Sequence, residues 1–214
     1  ERLPVHFHPD REFARHHLDS PFGKTEAWIV VGTREDEADL WVGLREDVDA
    51  ETYRRWIDEQ DTASLLGSLN RVPVRGGEIV FVPGGVPHAI GAGVLIAELQ
   101  EPTDYSIVCE WKGFPIEPED SHLGLGWDAA IEALDLDAHE PALTLPPGSE
   151  TFFAADKTPE APGRFAVLIV LRGEGEIGGR PAAAGDCFAV PAAAGDLEVR
   201  GDLEILRCVA PTPG

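Results

Sequence analysis

The chain has 214 residues, of which 39 are acidic and 17 basic, and its formal net charge is −22. Nucleic-acid affinity depends on clustered lysine and arginine, so this balance argues against nucleic-acid and anionic-membrane partners. No apolar run approaches the roughly 18 residues that a membrane span needs, and we find no signal-peptide pattern. Cys109, Cys187 and Cys208 lack paired spacing, which favours buried free thiols in a reducing cytosol. We therefore expect a cytoplasmic protein.

A strand with two histidines opens the chain, in the sequence Val5-His6-Phe7-His8. Alternate side chains of a strand face opposite ways, so His6 and His8 share one face and can reach the same metal ion. Nothing ahead of this strand supplies neighbouring strands. We therefore expect that residues precede Glu1 in the natural protein.

The next 70 residues alternate between strand and helix patterns. Residues 11–17 form a charged helical turn, and residues 26–31 and 40–44 are strands by their β-branched and aromatic content. Asp49 is a good N-cap for a helix over residues 50–60, and Asp61 or Thr62 could cap a second helix. The pattern predicts a helical insert at about residues 45–70.

A second histidine motif follows the insert. Residues 77–88, GEIVFVPGGVPH, place a short apolar strand between Gly77 and Pro83, then a turn that includes Gly85, then His88. We predict that His88 joins the two histidines of the first strand around one metal ion.

The C-terminal third repeats this pattern without its histidine. Residues 94–97 and 105–111 are predicted strands, residues 129–134 a short helix, and residues 141–148 a linker. Beyond it, residues 185–191 match the Gly-x5-Pro spacing of residues 77–83, with Ala193 in place of Gly85 and Asp196 in place of His88. A strand pair at 165–171 and 175–177 and a last strand at 203–209 complete a small barrel.

These patterns resemble the cupins, whose paired signature is a His-x-His strand followed by Gly-x5-Pro-x-Gly-x2-His. The resemblance implies a mainly β bicupin, two jelly-roll barrels with the helical insert in the first. Residues 1–140 would form the metal-binding cupin domain, and residues 141–214 a degenerate cupin domain without metal ligands. The residues alone leave a fourth ligand open: Glu12 has the usual cupin spacing from His8, whereas Glu26 begins a strand that can point into the barrel.

Four further stretches resemble the type I mannose-6-phosphate isomerases, in their short bacterial form. They are His8-Pro9-Asp10, residues 23–28 (GKTEAW), residues 87–93 (PHAIGAG) and residues 98–100 (ELQ). The resemblance covers roughly residues 5–112. It implies metal ligation by His8, Glu26 and His88, and it places His6 where the family often has glutamine. The implied cofactor is zinc or another divalent transition metal.

The implied reaction interconverts mannose 6-phosphate and fructose 6-phosphate, with a sugar phosphate as the small-molecule partner. A base must move a proton between C1 and C2, and an electrophile must stabilise the enediolate oxygens. We predict that Lys24 lies beside the substrate oxygens or the phosphate. Glu101 and Asp104, which follow the strand end at residues 99–100, are candidate acid–base or substrate-binding groups.

One departure from the family bears on activity. The family carries a catalytic arginine where this chain has Val108, and the nearest replacement is Lys112, on the same strand face by parity. A non-catalytic bicupin that binds a sugar or sugar phosphate is therefore the alternative to an aldose–ketose isomerase. A metal cupin of the oxygenase type is a third hypothesis, which the isomerase-like stretches disfavour.

Overall fold

Two antiparallel sheets, packed face to face, form the N-terminal part of the chain. This computed structural model describes residues 1–36, 38–157, 163–195 and 197–211. The strands are β1 (His6–Phe7), β2 (Glu26–Thr33), β3 (Ala38–Leu44), β4 (Leu69–Val74), β5 (Ile79–Val82), β6 (His88–Ile90), β7 (Val94–Gln100) and β8 (Ile107–Val108). One sheet has the strand order β4-β3-β6-β1-β8, and the other has β5-β2-β7. The fold is therefore mainly β, as predicted.

The strand register brings the two histidine motifs together. In the larger sheet, His6 of β1 pairs with His88 of β6 on one side and with Val108 of β8 on the other. Directly opposed residues of an antiparallel pair share a face, so these three side chains point the same way. The predicted strand over residues 105–111 is shorter than expected, and Lys112 lies in a turn beyond it, so strand parity does not place Lys112.

The space between the sheets is filled by alternate apolar side chains. Trp28 and Val30 of β2 pack against Leu40 and Val42 of β3, and all four are fully buried. This period of two is what a strand with one face on a core requires. The sandwich thus holds its strands rigidly around the histidines at one end.

The helices cover the outer face of the larger sheet. They are α1 (Arg11–His17), α2 (Ala50–Glu59), α3 (Thr62–Gly67) and α4 (Trp127–Ala130). Asp49 and Asp61 cap α2 and α3 by accepting hydrogen bonds from the N–H groups of Thr52 and Ser64. Tyr53, Ile57 and Leu65 bury the apolar sides of these two helices. The sequence pattern did not indicate β4, which begins two residues after α3.

The C-terminal part contains one five-stranded sheet among the described residues. Its strands are β9 (Ala154–Asp156), β10 (Ala166–Ile177), β11 (Arg180–Ala183), β12 (Cys187–Val190) and β13 (Val199–Val209). The predicted strand pair at 165–171 and 175–177 is wrong, because β10 is continuous. Pairing with β13 continues on both sides of a register shift after Val170, and Gly173 takes a positive φ of +89° within the strand. The division into two jelly-roll barrels stays a prediction.

The repeated motif has the same backbone geometry in both halves. Gly77 and Gly185 adopt φ of +96° and +93°, and each is followed by a strand, β5 or β12. A residue with a Cβ would be strained at either position. Ala193 lies in a turn of 3₁₀ helix, and Asp196, the counterpart of His88, lies outside the described residues.

An apolar cluster joins the two halves. Ile29 of β2 packs with Ile169 and Leu171 of β10 and with Leu206 and Cys208 of β13. All three cysteines are free, as expected, but Cys187 is exposed rather than buried. Within the described ranges, no helix is long and apolar enough to cross a membrane.

Candidate metal centre

Three histidines converge at one end of the sandwich. One nitrogen from each of His6, His8 and His88 lies within 4.8 Å of the others, and the Nε2 atoms of His6 and His88 are 3.0 Å apart. His6 lies on β1, His8 directly follows this strand, and the adjacent β6 begins at His88. The cluster could therefore hold a metal ion, as the sequence predicted.

The tautomer of each imidazole is set by a backbone carbonyl. The Nδ1 atoms of His6, His8 and His88 lie 2.8, 2.7 and 2.8 Å from the carbonyl oxygens of Pro4, Tyr105 and Val86. A carbonyl only accepts, so each Nδ1 carries the proton and each Nε2 keeps its lone pair. This arrangement, with the second ring nitrogen held by the protein, is typical of metal-binding histidines.

Burial keeps the three rings neutral. Loss of solvation lowers the pKa of His6 to about 4 and that of His8 to about 3, and it holds the pKa of His88 well below its usual value. The mutual repulsion of the imidazolium forms contributes to the low pKa of His6 and His88. Neutral imidazole is the form that binds a metal ion, so no proton has to leave at pH 7.

Glu26 supplies a carboxylate beside the imidazoles. Its Oε2 lies 3.3 Å from Nε2 of His8 and its Oε1 lies 3.4 Å from Nε2 of His88, and the residue is 1% exposed. Within the described part of the chain, Oε2 accepts no hydrogen bond. Glu12, the alternative ligand, is exposed on α1. A buried carboxylate requires a neighbouring cation, and a metal ion held by the imidazoles would supply one in addition to the ammonium of Lys24.

Lys24 lies next to this carboxylate, in the loop before β2. Its Nζ is 3.2 Å from Oε2 of Glu26, 3.2 Å from Nε2 of His8 and 3.4 Å from Oε1 of Glu98. The structure thus places Lys24 at the histidine cluster, and its place beside the substrate oxygens or the phosphate stays a prediction. Its ammonium group connects the buried Glu26 with the more solvent-accessible Glu98.

Glu98 is the site residue that the sequence reasoning missed. On β7 it lies opposite Trp28 of β2, whose ring contacts that of His88, so Glu98 occupies the face of β7 next to the cluster while remaining exposed to solvent. Burial raises the pKa of Glu98, and the negative charge of Glu26 raises it further. In the sequence, Glu98 is visible only as a carboxylate two residues before Gln100 in a strand of alternating side chains. The register between β2 and β7 is needed to place it beside the cluster.

The other predicted site residues are Glu101, Asp104 and Lys112, and their contacts differ from those of the histidine cluster. Glu101 is completely buried, where it pairs with Arg11 and accepts a hydrogen bond from the N–H of Thr25. Asp104 and Lys112 are exposed. The contacts of these three residues do not include the histidine cluster, and their catalytic and substrate-binding roles stay predictions.

Comparison with known proteins supports the predicted resemblance. Over 102 residues the chain is 37% identical to the mannose-6-phosphate isomerase of Streptococcus mutans and 34% identical to the mannose-6-phosphate isomerase ManA of Bacillus subtilis. The crystal structure of the mannose 6-phosphate isomerase from Bacillus subtilis superimposes with a TM-score of 0.70 at 20% identity, covering 98% of this chain and 72% of that one. The chain is related to the mannose-6-phosphate isomerases.

The sequence similarity to these relatives covers only part of each chain. The sequence match takes in 48% of this chain but only 30% of the Streptococcus mutans mannose-6-phosphate isomerase and 31% of ManA. The matched segment of 102 residues thus spans less than one third of the length of each of these relatives. No protein-family model matches the chain.

Val108 occupies the position where the mannose-6-phosphate isomerase resemblance expects an arginine. The residue is half-buried and pairs with His6 across the β1–β8 ladder, so a side chain at this position borders the histidine cluster. Valine offers no charge and no proton. The cation that the structure does place at the cluster is Lys24.

Proposed function

We propose that this protein is a metal-dependent sugar-phosphate isomerase, an intramolecular oxidoreductase that interconverts mannose 6-phosphate and fructose 6-phosphate. The observation that carries the proposal is the convergence of three Nε2 lone pairs and the Glu26 carboxylate beside Lys24 and Glu98. Such a cluster offers metal ligands and proton-transfer groups close together. The names of the relatives suggest the reaction.

His6, His8, His88 and Glu26 would hold the metal ion. Nitrogen ligands with one carboxylate suit zinc and equally iron or nickel, so the donor set alone does not choose among them. A bound divalent ion polarises the substrate carbonyl and stabilises the negative charge that develops on the sugar oxygens. Because His6 stands where the family often has glutamine, we expect tighter binding and a wider choice of metals. Elemental analysis of protein produced without added metal tests this expectation.

Glu98 and Lys24 would handle the proton. Isomerisation removes a proton from C2 of mannose 6-phosphate and returns it to C1 of the enediol, so one carboxylate can take and then give the same proton. Glu98 suits this role because its pKa is raised and its side chain is partly open to solvent. The Lys24 ammonium, 3.4 Å away, would donate a hydrogen bond to the sugar oxygens.

The phosphate would be bound nearer the surface. Asp104 and Lys112 are exposed and remain our candidates for substrate contacts, with Lys112 as the cation for the phosphate. Glu101 remains a candidate acid–base group from the sequence. Its pairing with Arg11 and with the Thr25 N–H also suits it to fix the loop that carries Lys24.

A sugar-phosphate-binding protein without turnover is the second candidate. The observation that favours it is Val108, because a half-buried valine beside His6 replaces the arginine that the family uses. In that case the metal and Lys24 would bind the sugar phosphate without completing the proton transfer.

A coupled assay with mannose 6-phosphate separates the two functions. Zinc-loaded wild type should produce fructose 6-phosphate, and Glu26→Gln should lose most of this activity together with bound zinc. Binding of mannose 6-phosphate by calorimetry, without any turnover by the fully metal-loaded wild type, would establish the binder. Oxygen uptake that depends on Fe(II) would instead point to an oxygenase.

A further inference from the structure

A groove of about 680 Å³ lies between the two halves of the chain, apart from the histidine cluster. It is bordered by α1, by the loop before β2, by the end of β7 and by β10 and β13 of the C-terminal sheet. None of the four candidate metal ligands lines it. The residues that matter for its chemistry are Arg11, Arg15, Phe22, Phe152, Phe165 and Pro211.

The walls of the groove are largely apolar and partly open to solvent. Phe165 is 56% exposed and Phe22 is 41% exposed. Among the exposed large hydrophobic side chains of the described residues, these are the two aromatic ones, and both line the same groove. Exposed aromatic rings that share one concave surface are more typical of a ligand site than of isolated surface residues.

The charge of the groove is opposite to that of the protein. Acidic residues outnumber basic ones by 39 to 17 in the chain, yet the charged residues that line the groove are Arg11 and Arg15, and no described aspartate or glutamate lines it. An acidic protein that keeps carboxylates away from one apolar groove creates a local site for an anion.

The two arginines are held differently. Arg11 pairs with Glu101, donates a hydrogen bond to the carbonyl of Thr151 and stacks over the ring of Phe152, 4.5 Å from its centroid. Arg15 makes no ion pair and no side-chain hydrogen bond with the described residues. The guanidinium of Arg15 is therefore free to bind an anion, and Arg11 forms a fixed wall.

We propose that this groove binds a small organic anion, with its carboxylate or phosphate on Arg15 and an aromatic or acyl body between Phe22 and Phe165. The volume matches the 300–1,000 Å³ or so of small-molecule sites, and guanidinium binds both kinds of anion with two hydrogen bonds. A hexose phosphate lacks the apolar body, so this ligand is of a different class from the proposed substrate. The site is independent of the proposed function.

Fluorescence titration of the full chain with 8-anilinonaphthalene-1-sulfonate, an aromatic anion, tests the proposal. Arg15→Gln and Phe165→Ser should each weaken binding of this probe at least about fivefold. Arg15→Lys keeps the positive charge but not the two parallel hydrogen bonds, so it should weaken binding less than Arg15→Gln does. Arg180→Gln, which removes an exposed arginine of β11 outside the groove, is the matched control and should bind like wild type.

Two results would overturn the assignment. One is unchanged probe binding by Arg15→Gln; the other is equally tight binding of the neutral probe N-phenyl-1-naphthylamine, which would reveal an apolar patch without an anion site. Because the sulfonate probe also binds partly unfolded protein, each variant is first compared with wild type by thermal unfolding. Weaker binding at an unchanged melting temperature supports the groove.

Discussion

The Nε2 atoms of His6 and His88 face each other at 3.0 Å. Each ring has committed its Nδ1 proton to a backbone carbonyl, so both Nε2 atoms carry lone pairs and neither can donate to the other. The Glu26 carboxylate, 3.4 Å from His88, adds negative charge to the same place. A shared cation relieves this repulsion. A metal ion bound at this cluster would therefore stabilise the fold.

Metal removal should destabilise the protein measurably. With free zinc a thousandfold above its dissociation constant, the free energy of unfolding should rise by about 4 kcal/mol over that of the chelated protein. Denaturant titration with and without zinc measures this difference. His88→Ala should abolish the zinc-dependent increase, and His16→Ala, which changes an exposed histidine on α1, should keep it. An equal increase in both variants would mean that zinc binds elsewhere.

Glu98 and Glu101 should respond differently to the loss of their negative charge, the first in activity and the second in stability. Glu98→Gln should lower kcat by about 10²- to 10⁴-fold, the usual contribution of a general base, and leave the zinc content and the melting temperature nearly unchanged. Glu101→Gln should chiefly destabilise the fold, by about 2–3 kcal/mol, because it leaves Arg11 without its buried partner.

Steady-state kinetics and thermal unfolding of both variants distinguish these roles. Glu51→Gln, at an exposed position of α2, is the control for the loss of a surface charge and should behave like wild type. Should Glu101→Gln lose kcat while keeping wild-type stability, Glu101 rather than Glu98 would be the base.

An arginine at position 108 should raise activity. The side chain there points to the same side as that of its partner His6, and a guanidinium could donate hydrogen bonds to the enediolate or phosphate oxygens of the substrate. We expect Val108→Arg to increase kcat/KM for mannose 6-phosphate about tenfold, equivalent to about 1.4 kcal/mol. Val108→Leu controls for size. A tenfold loss of kcat/KM at full zinc occupancy would refute the role of a missing cation.

Local patterns in the sequence predicted the histidine motifs and the helix caps. Strand alternation placed His6 and His8 on one face, and Asp49 marked the start of α2, because both features depend on neighbours a few residues away. The choice of Glu26 over Glu12 as the fourth ligand did not follow from a local pattern alone. Spacing favoured Glu12, the strand that begins at Glu26 favoured Glu26, and the family resemblance decided between them.

The features that the sequence did not reveal depend on contacts between distant segments. Glu98 faces the site because β7 pairs with β2 in one particular register, which no short pattern encodes. The predicted strands at 165–171 and 175–177 leave Gly173 in the connection between them, but the backbone of Asp202 in β13 lies so close that only glycine fits in the continuous strand. The ion pair of Glu101 with Arg11 joins residues 90 positions apart.

Acid should weaken the attachment of the N-terminal strand to the helical segment through Glu110. This buried carboxylate accepts hydrogen bonds from Arg2, from the N–H of Val5 and from the hydroxyl of Thr62. Burial alone would raise the pKa of Glu110, but these donors outweigh it and hold the pKa below its usual value of 4.5. A carboxyl group with a depressed folded-state pKa stabilises the fold above the unfolded-state pKa and loses that contribution as the pH falls through the folded-state value.

Urea titrations between pH 7 and pH 3 measure this dependence. Glu110→Gln should lower the free energy of unfolding at pH 7 by about 2 kcal/mol, because it weakens four hydrogen bonds to a buried group. It should also flatten the fall in stability below pH 4.5. Glu117→Gln, at an exposed position, should retain the wild-type acid dependence. A Glu110→Gln protein with the same pH profile as wild type would assign the acid sensitivity to other carboxylates.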